Sequence, residues 1–557
     1  MIELLSKINK NWQIFLLISI FCLPFFINLG GNSLWDGNEG FYAEPAREVV
    51  ESGNYLIPTY NYQPRFKKPP LATWIIAFSY QTLGVSEFAE RLPIAIAAIL
   101  TIWITYLLGK LIADKELGII SALVLSTMLK FMIYSRQYAG DIFLTLFISL
   151  TMLYFARAML ETERKKQNLY KLLAYLAMGL GMLDKGIVAI VVPMTMVGLF
   201  ILLVRRWQLI KLLFSPTGYL ITVVVGASWY TMMYWKYGWD FIQVNIINET
   251  VKRYVTDELG GRAIYYYVGV YFSETLPWSI FIIPAIIYWL KRWKEEKLNI
   301  SQEKLKSFLP FLTIIWFIFI FIFFSLAIGK RAVYLVALYP PAAIIIAYYF
   351  RFNLFNYNKL LTNLQIALSL LLSVVCLASS VIIFLAYQKL EIGTNLIYLA
   401  ITALVLLSLG LIASLKKLEL QLPVILVSSW LLILSITLIM PKIEFYRPIP
   451  HFAQIIKAQA SPADKVGTFS VDTPSLMFYT QRAIFQNWKL EDMLKELADD
   501  KTTYFVTRED FLATLRQNTS TNLEVLDSRP LLQLRWEHLF GKKSKPTMHL
   551  VLVRKKS

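Results

Sequence analysis

The sequence predicts a polytopic α-helical membrane protein of about thirteen transmembrane helices, followed by a small C-terminal α/β domain outside the cytoplasm. Three observations predict it. Of the 557 residues, 57% are hydrophobic and only 17% charged, where a soluble domain carries about a quarter charged residues. Apolar runs of helix-spanning length recur along the chain, without the alternation of a membrane barrel. Lysine and arginine then gather in every second loop, as they do on the cytoplasmic side of a membrane.

Taken in order, the expected spans are Trp12–Leu29, Leu92–Leu111, Leu117–Tyr134, Ile142–Leu160, Leu169–Leu183, Ile187–Val204 and Leu213–Trp235. Tyr265–Leu290, Phe308–Ile328, Val333–Phe350, Leu361–Leu385, Thr394–Ser414 and Leu422–Met440 complete them. Lys7 and Lys10 precede the first run. Without a clear small-x-small cleavage site, and with many spans behind it, that run reads as an uncleaved anchor, not a signal peptide. One set of loops holds Lys110 and Lys115, Arg157 to Lys166, Arg205 to Lys211, Lys291 to Lys306, Arg351 and Lys359, and Lys416 and Lys417. This set is expected in the cytoplasm together with the N-terminus. The long 30–91 segment, Ser135–Asp141, Lys236–Ile264, Gly329–Ala332, the Lys389 loop and the tail fall on the opposite face. An odd number of spans places the tail there independently. The expected location is thus the cell inner membrane, with residues 1–440 as the transmembrane domain and 441–557 as an extracytoplasmic domain. In that tail, β-like runs at Lys465–Val471, Thr503–Val506, Leu523–Leu526 and Met548–Val553 alternate with helical segments at Phe452–Gln459, Leu490–Ala498 and Asp510–Arg516, a small α/β pattern.

The formal charge of +18 would raise nucleic acid as a partner of a soluble protein. Here the cytoplasmic loops account for it, and the partners expected are anionic membrane lipids and a phosphate-bearing substrate, with no nucleic acid. The two cysteines, Cys22 and Cys376, lie within apolar runs and form no expected disulfide. The three histidines, His451, His538 and His549, all lie in the tail. The membrane part therefore has no imidazole base and no His-ligated metal, and its acid–base chemistry falls to carboxylates, lysines or tyrosines.

Those groups cluster at one face. Directly after the first span come Asp36, Glu39, Glu44, Arg47 and Glu48. Glu44, Arg47 and Glu48 stand at helical spacing and can simply pair. Asp36 and Glu39, between Trp35, Gly37 and Gly40, read as candidate general bases. Lys67-Lys68-Pro69-Pro70 is a stiff basic turn before Leu71–Tyr80, an apolar stretch expected to lie in the interface. A lysine there can hold a lipid phosphate or merely snorkel to headgroups. Asp141 opens a span as a candidate acid or a helix cap, and Asp184-Lys185 is a further polar pair at the same face. Lys330, Arg331 and Tyr334 place cationic and hydroxyl groups on the extracytoplasmic side, where a phosphate leaving group needs compensation. Asn248-Glu249 and Arg253 add a polar cluster before the eighth span.

With these residues in hand, the chain resembles the lipid-linked glycosyltransferases of the GT-C type. It is similar above all to the bacterial aminoarabinose transferases of lipid A, and is related to the protein O-mannosyltransferases. The resemblance covers about the first 350 residues. It rests on the Glu39-x-x-Tyr42-Ala43-Glu44-x-x-Arg47-Glu48 block, Ser52 to Tyr55 with Pro58, and Lys68-Pro69-Pro70-Leu71 with Trp74. Glu90 to Pro93, Asp141, Lys185-Gly186, Pro277-Trp278 and the Ser325, Lys330, Tyr334, Pro340 series continue it. It implies a GT-C fold and transfer of a sugar from polyprenyl (undecaprenyl) phosphate to a lipid, glycan or protein acceptor at the periplasmic face. It also implies Asp36, Glu39 and Asp141 as the catalytic acids, and Lys68 on the donor phosphate, assisted by Lys330, Arg331 and Tyr334. Tyr42, Arg47, Lys185, Glu249 and Arg253 follow as substrate-binding residues. Where the family commonly has Asp-Glu, this chain has Asn38-Glu39. An amide cannot act as a general base, so Asp36 or Glu39 supplies the carboxylate, or the acceptor needs none. The Glu-His pattern of some aminoarabinose transferases is replaced by Glu249 to Arg253, which argues against an identical substrate. No metal ligand set is expected; if a cofactor is used, it is a divalent metal, Mg or Mn, at carboxylates.

Two other classes compete. A lipid or oligosaccharide transporter or flippase would also need many spans, but places its polar residues and broken helices at mid-membrane. A non-catalytic scaffold could use the tail to bind a partner, yet would not need the first-loop cluster.

Overall fold

The computed structural model describes residues 10–137, 139–256, 261–297, 305–352, 359–390, 395–532 and 547–556. Lys7, His538, the start of the twelfth expected span at Thr394 and parts of the Lys291–Lys306 and Arg351–Lys359 loops lie outside the described residues, as does the Arg253 side chain. Among the described residues, eight helical segments are long and apolar enough to cross a membrane, and nine if a pair bent by 115° is one span. They lie at 87–112, 139–160, 207–249, 305–326, 332–352, 360–388, 397–416 and 418–446, with the bent pair at 266–291.

The expected count of thirteen is not reached by length and apolarity. At the four other positions the helices have local reasons to differ. Asn11–Phe25 and Val188–Val204 are short. The Arg164–Lys185 helix begins with Arg164, Lys165 and Lys166 and is apolar only in its second half. The 117–134 run divides into Lys115–Ser126 and Leu129–Tyr134. At that break, Thr127 donates its hydroxyl to the Leu123 carbonyl at 2.6 Å and accepts the Trp278 indole N–H at 3.1 Å. The break thus lets two polar groups buried in the bundle satisfy each other.

Helix starts follow from capping. Ser86 accepts the Ala89 N–H before Glu87–Ile112, and Asp114 accepts the Leu117 N–H at 2.8 Å before Lys115–Ser126. The 332–352 segment, which includes the Tyr339–Phe352 helix, occupies the bundle centre: 94% of its apolar stretch is buried, against 28% for the 360–388 helix. Helices packed in lipid gain little from hydrophobic transfer, so such central packing rests on close contact and satisfied polar groups.

The first loop is folded. It holds the Gly40–Ser52 helix, a two-residue hairpin of β1 (Thr59–Tyr60) and β2 (Gln63–Pro64), and the Leu71–Leu83 helix. Both turn residues, Asn61 and Tyr62, have positive φ, the geometry of a type I′ turn, which asparagine adopts readily and tyrosine only at a steric cost. External bonds hold it: the Tyr62 N–H donates to the Glu48 carboxylate at 3.1 Å, and Asn61 bonds both the N–H and the carbonyl of Ile484.

The tail is an α/β domain, as its pattern predicts. Strands β3 (Lys465–Phe469), β4 (Phe485–Asn487), β5 (Thr503–Arg508), β6 (Leu523–Leu532) and β7 (Thr547–Lys555) form one sheet in the order β4-β3-β5-β7-β6. β3 pairs in parallel with β4 and β5, and β7 runs antiparallel to β5 and β6. Alternation sorts its faces. Tyr504, Val506, Leu550 and Leu552 meet the Ile449–Gln459 and Ser475–Thr480 helices; Phe505, Val551 and Val553 meet the Leu490–Ala498 and Glu509–Asn518 helices. β4 and the Ser475–Thr480 helix are additions to the expected elements, too short to show a periodicity of their own.

Candidate functional site

Two confluent cavities, of about 400 Å³ and about 440 Å³, open where the first loop meets the bundle. They share Lys67, Lys68, Asp141, Lys185, Glu249 and Tyr334. Beyond these, the first is walled by apolar groups such as Leu144, Val188, Val191, Phe323 and Phe324. The second is walled by the first loop, through Asn38, Phe41, Tyr42, Tyr60 and Arg65, and also by Arg331.

Asp141 lies in the first turn of the Ala139–Leu160 helix and Lys185 is the last residue of Arg164–Lys185. Each charge thus sits at the helix end that favours it, and the Lys185 ammonium donates to the Asp141 carboxylate. Gly186, with φ of +81°, ends the second helix in a conformation that disfavours a side chain. Gly140 serves a close approach instead, since a Cβ there would collide with the Tyr42 hydroxyl. Its absence lets Tyr42 reach the mouth of the Ala139–Leu160 helix. Burial pushes the Tyr42 hydroxyl up to about 12, so it stays a neutral donor at the wall. The Lys185 ammonium also lies over the Tyr334 ring, 5.5 Å from its centroid.

Lys68 forms an ion pair with Glu249 at 3.2 Å. The turn carrying it is tied down on both sides. The Trp74 indole donates to the Tyr55 carbonyl at 2.6 Å, Asn245 to the Phe66 carbonyl at 2.6 Å and Trp229 to the Leu56 carbonyl at 2.9 Å. Asn245 and Glu249 lie on one wide, π-type helix, Gln243–Lys252, a form often found at functional sites.

The structure thus brings together Lys68, Asp141, Lys185, Glu249, Tyr42, Arg331 and Tyr334. Other residues singled out in the sequence lie elsewhere, each for a physical reason. Glu39 is fully buried in a two-point bond to Arg91, at 2.7 and 2.9 Å, while Arg91 also donates to the carbonyls of Leu29, Asn32 and Ser33. Asp36 accepts the Ser475 N–H at 2.9 Å and holds the C-terminal domain to the first loop. Burial there pushes its carboxyl up to about 6. Arg47 pairs with Glu44 and Glu51, both at 2.7 Å. Lys330 donates to the carbonyls of Ala327 and Arg262 and lines neither cavity. Asp184 is buried behind Lys185, which pairs with Asp141 instead. Sequence reasoning passed over Arg65, Tyr60 and Phe41 as cavity residues. Arg65 stands two residues before the basic Lys67–Pro70 turn, but nothing local marks which of these cations faces inward.

Among the described residues no group of three or more His, Cys, Asp or Glu side chains is placed to hold a metal ion. The carboxylates of the cavities, Asp141 and Glu249, each face a lysine ammonium, a donor set that suits an ion pair and not Mg or Mn.

Fold and site together define a class: the chain is a multi-pass membrane protein with the GT-C fold, similar to membrane glycosyltransferases. Residues 67–235 match the family model described as dolichyl-phosphate-mannose-protein mannosyltransferase. An uncharacterised Aquifex aeolicus protein is 29% identical over 479 residues, 85% of this chain and 88% of that one. More particularly, the chain is similar to the undecaprenyl phosphate-α-4-amino-4-deoxy-L-arabinose arabinosyl transferase of Serratia proteamaculans, 27% identical over 68% of this chain and 67% of the relative. The crystal structure of ArnT from Cupriavidus metallidurans bound to undecaprenyl phosphate shares the fold over 98% of both chains, with a TM-score of 0.76 at 17% identity.

Proposed function

We propose that the protein transfers a sugar from a polyprenyl (undecaprenyl) phosphate carrier to a lipid, glycan or protein acceptor at the periplasmic face of the inner membrane. The observation that carries this reading is the pair of cavities joined at Lys68 and Asp141. The apolar cavity suits a prenyl chain, the polar one suits a sugar and an acceptor, and the charged junction is where the bond between them would break. The activity for which the arabinosyl transferase relatives are named supports the same chemistry.

In this reading Lys68 and Tyr334 hold the donor phosphate at the junction, with Arg331 at its outer side. The acceptor heteroatom attacks the anomeric carbon; the new bond to that carbon forms as its bond to the phosphate oxygen breaks. The electron pair leaves with the carrier phosphate, whose growing charge Lys68 and Tyr334 offset. The acceptor's proton passes to the Asp141 carboxylate, which Lys185 orients until then. The domain of residues 441–557 lies on the same side as the first loop, because Asp36 and Asn61 bond it directly. That contact, with the loop charges, supports a periplasmic tail and a cytoplasmic N-terminus.

The test is a transfer assay. Purified full-length protein receives polyprenyl-phosphate sugars and extracted envelope lipids, and release of carrier phosphate is followed. Lys68→Ala is expected to raise the donor KM about tenfold or more, and Asp141→Asn to lower kcat by roughly 10²-fold. No release with any donor would end the transfer reading, and wild-type constants in both variants would end these assignments.

A further inference from the structure

Two of the three lysines in the polar cavity have counter-charges: Lys68 faces Glu249 and Lys185 faces Asp141. Arg65 differs. Its Nη1 is buried and has no hydrogen-bond partner among the described residues, and no carboxylate among them forms an ion pair with it. A buried charged donor left unpaired is costly, and buried cations are ordinarily paired. Yet the side chain is held in place. Its guanidinium carbon lies 5.4 Å from the centroid of the Tyr42 ring, and its backbone N–H donates to the Pro58 carbonyl at 2.9 Å, closing the β1–β2 hairpin. Arg65 lines the polar cavity and not the apolar one. Arg65, Lys67, Lys68, Lys185 and Arg331 all line this chamber, against the carboxylates Asp141 and Glu249. The chamber is therefore cationic beyond the needs of a single phosphodiester.

We infer that Arg65 is an oxyanion-binding residue, completed by a phosphate or carboxylate that enters the polar cavity with a substrate. A planar, fixed guanidinium suits two oxygens of one such group. The inference rests on the transfer reading, since that reading supplies two candidate sources. One is the carrier's own phosphate; the other is an anion on the acceptor, which would sit on the Arg65 side while Lys68 keeps the carrier.

Two binding measurements on the purified full chain in nanodiscs separate the sources without needing activity. The first titrates undecaprenyl phosphate into wild type, Arg65→Gln and Lys68→Ala. The second titrates inorganic phosphate into the same proteins already saturated with undecaprenyl phosphate. Arg65→Gln is expected to weaken one of the two by about tenfold or more. A loss in the first identifies the carrier phosphate, and a loss confined to the second identifies a separate anion site. Arg65→Lys is expected to recover part of the loss. The melting temperature of Arg65→Gln is expected to equal or exceed that of wild type, because an unpartnered buried charge has been removed. Unchanged binding in both titrations overturns the inference, as does a lowered melting temperature with unchanged binding, the mark of a purely structural arginine. If undecaprenyl phosphate binds no variant, wild type included, the transfer reading fails separately, and the phosphate titration, run then on the unloaded chain, still decides the role of Arg65.

Discussion

Replacing Glu39 by alanine tests whether this residue holds the first loop or takes part in chemistry. Glu39 and Arg91 are almost wholly inaccessible and share a two-point bond. Removing the carboxylate strands Arg91 Nε and takes one partner from Nη2, which retains the Ser33 carbonyl; Nη1 keeps Leu29 and Asn32. It also frees the Trp35 N–H, which donates to Glu39 at 2.5 Å. Breaking a buried pair from one side costs about 3–5 kcal/mol, a large share of the roughly 5–15 kcal/mol that stabilises a typical fold. The expected result is a markedly lower unfolding midpoint in detergent, and carrier-phosphate release per folded molecule close to wild type. The double variant Glu39→Ala/Arg91→Leu removes the stranded charge and is expected to regain part of the loss. A Glu39→Ala protein as stable as wild type but without turnover would refute this reasoning and return Glu39 to the reaction.

Asp36 gives a pH-dependent outcome. Its carboxyl is raised by burial from the ordinary 3.8 to about 6, with Arg447 opposing and Asp472 reinforcing the shift. Between these values the folded chain holds a proton that the unfolded chain has released, so this contribution to stability is full below pH 3.8 and falls as pH rises to about 6. Asp36→Asn keeps an acceptor for the Ser475 N–H and has no charge to bury. It is expected to melt higher than wild type above pH 6 and equally near pH 4, measured by thermal scans; equal midpoints throughout would contradict the assignment. Asn61→Ala removes both bonds to Ile484 and is expected to speed amide exchange across residues 57–64, with the bundle unaffected; unchanged exchange would show that the C-terminal domain does not hold the hairpin. Ser52→Cys, exposed at the end of the Gly40–Ser52 helix, is expected to react with an impermeant maleimide added outside intact cells, while Cys22 and Cys376 stay buried. Reaction only after lysis would invert the topology.

The parts of this structure legible in the sequence are those with a long-range period or a strong local rule. Membrane-length apolar helices such as Ala139–Leu160 and Ile397–Ala413 announce themselves by length. The strands of the tail show alternation that survives into the two faces of its sheet. Lys68, between Phe66 and two prolines, is conspicuous because the turn is stiff and basic. The illegible parts depend on which distant partner a charge meets. Nothing near Glu39 in the chain reveals Arg91, which lies fifty-two positions away. Asp36 looks like a base beside the membrane until Ser475 arrives from the C-terminal domain. Lys330 breaks the loop-charge rule, yet its ammonium serves two carbonyls of its own surroundings. The bend at 266–291 is likewise a tertiary feature, invisible to an apolar average.

The donor site is tested most directly by an experimental structure of the full chain in a lipid nanodisc with undecaprenyl phosphate. The prenyl chain is expected against Val188, Val191 and Phe323, and the phosphate within hydrogen-bond distance of Lys68 Nζ, where the two cavities join. A carrier bound elsewhere on the bundle, with the Lys68–Glu249 pair undisturbed, would contradict the transfer reading at its root.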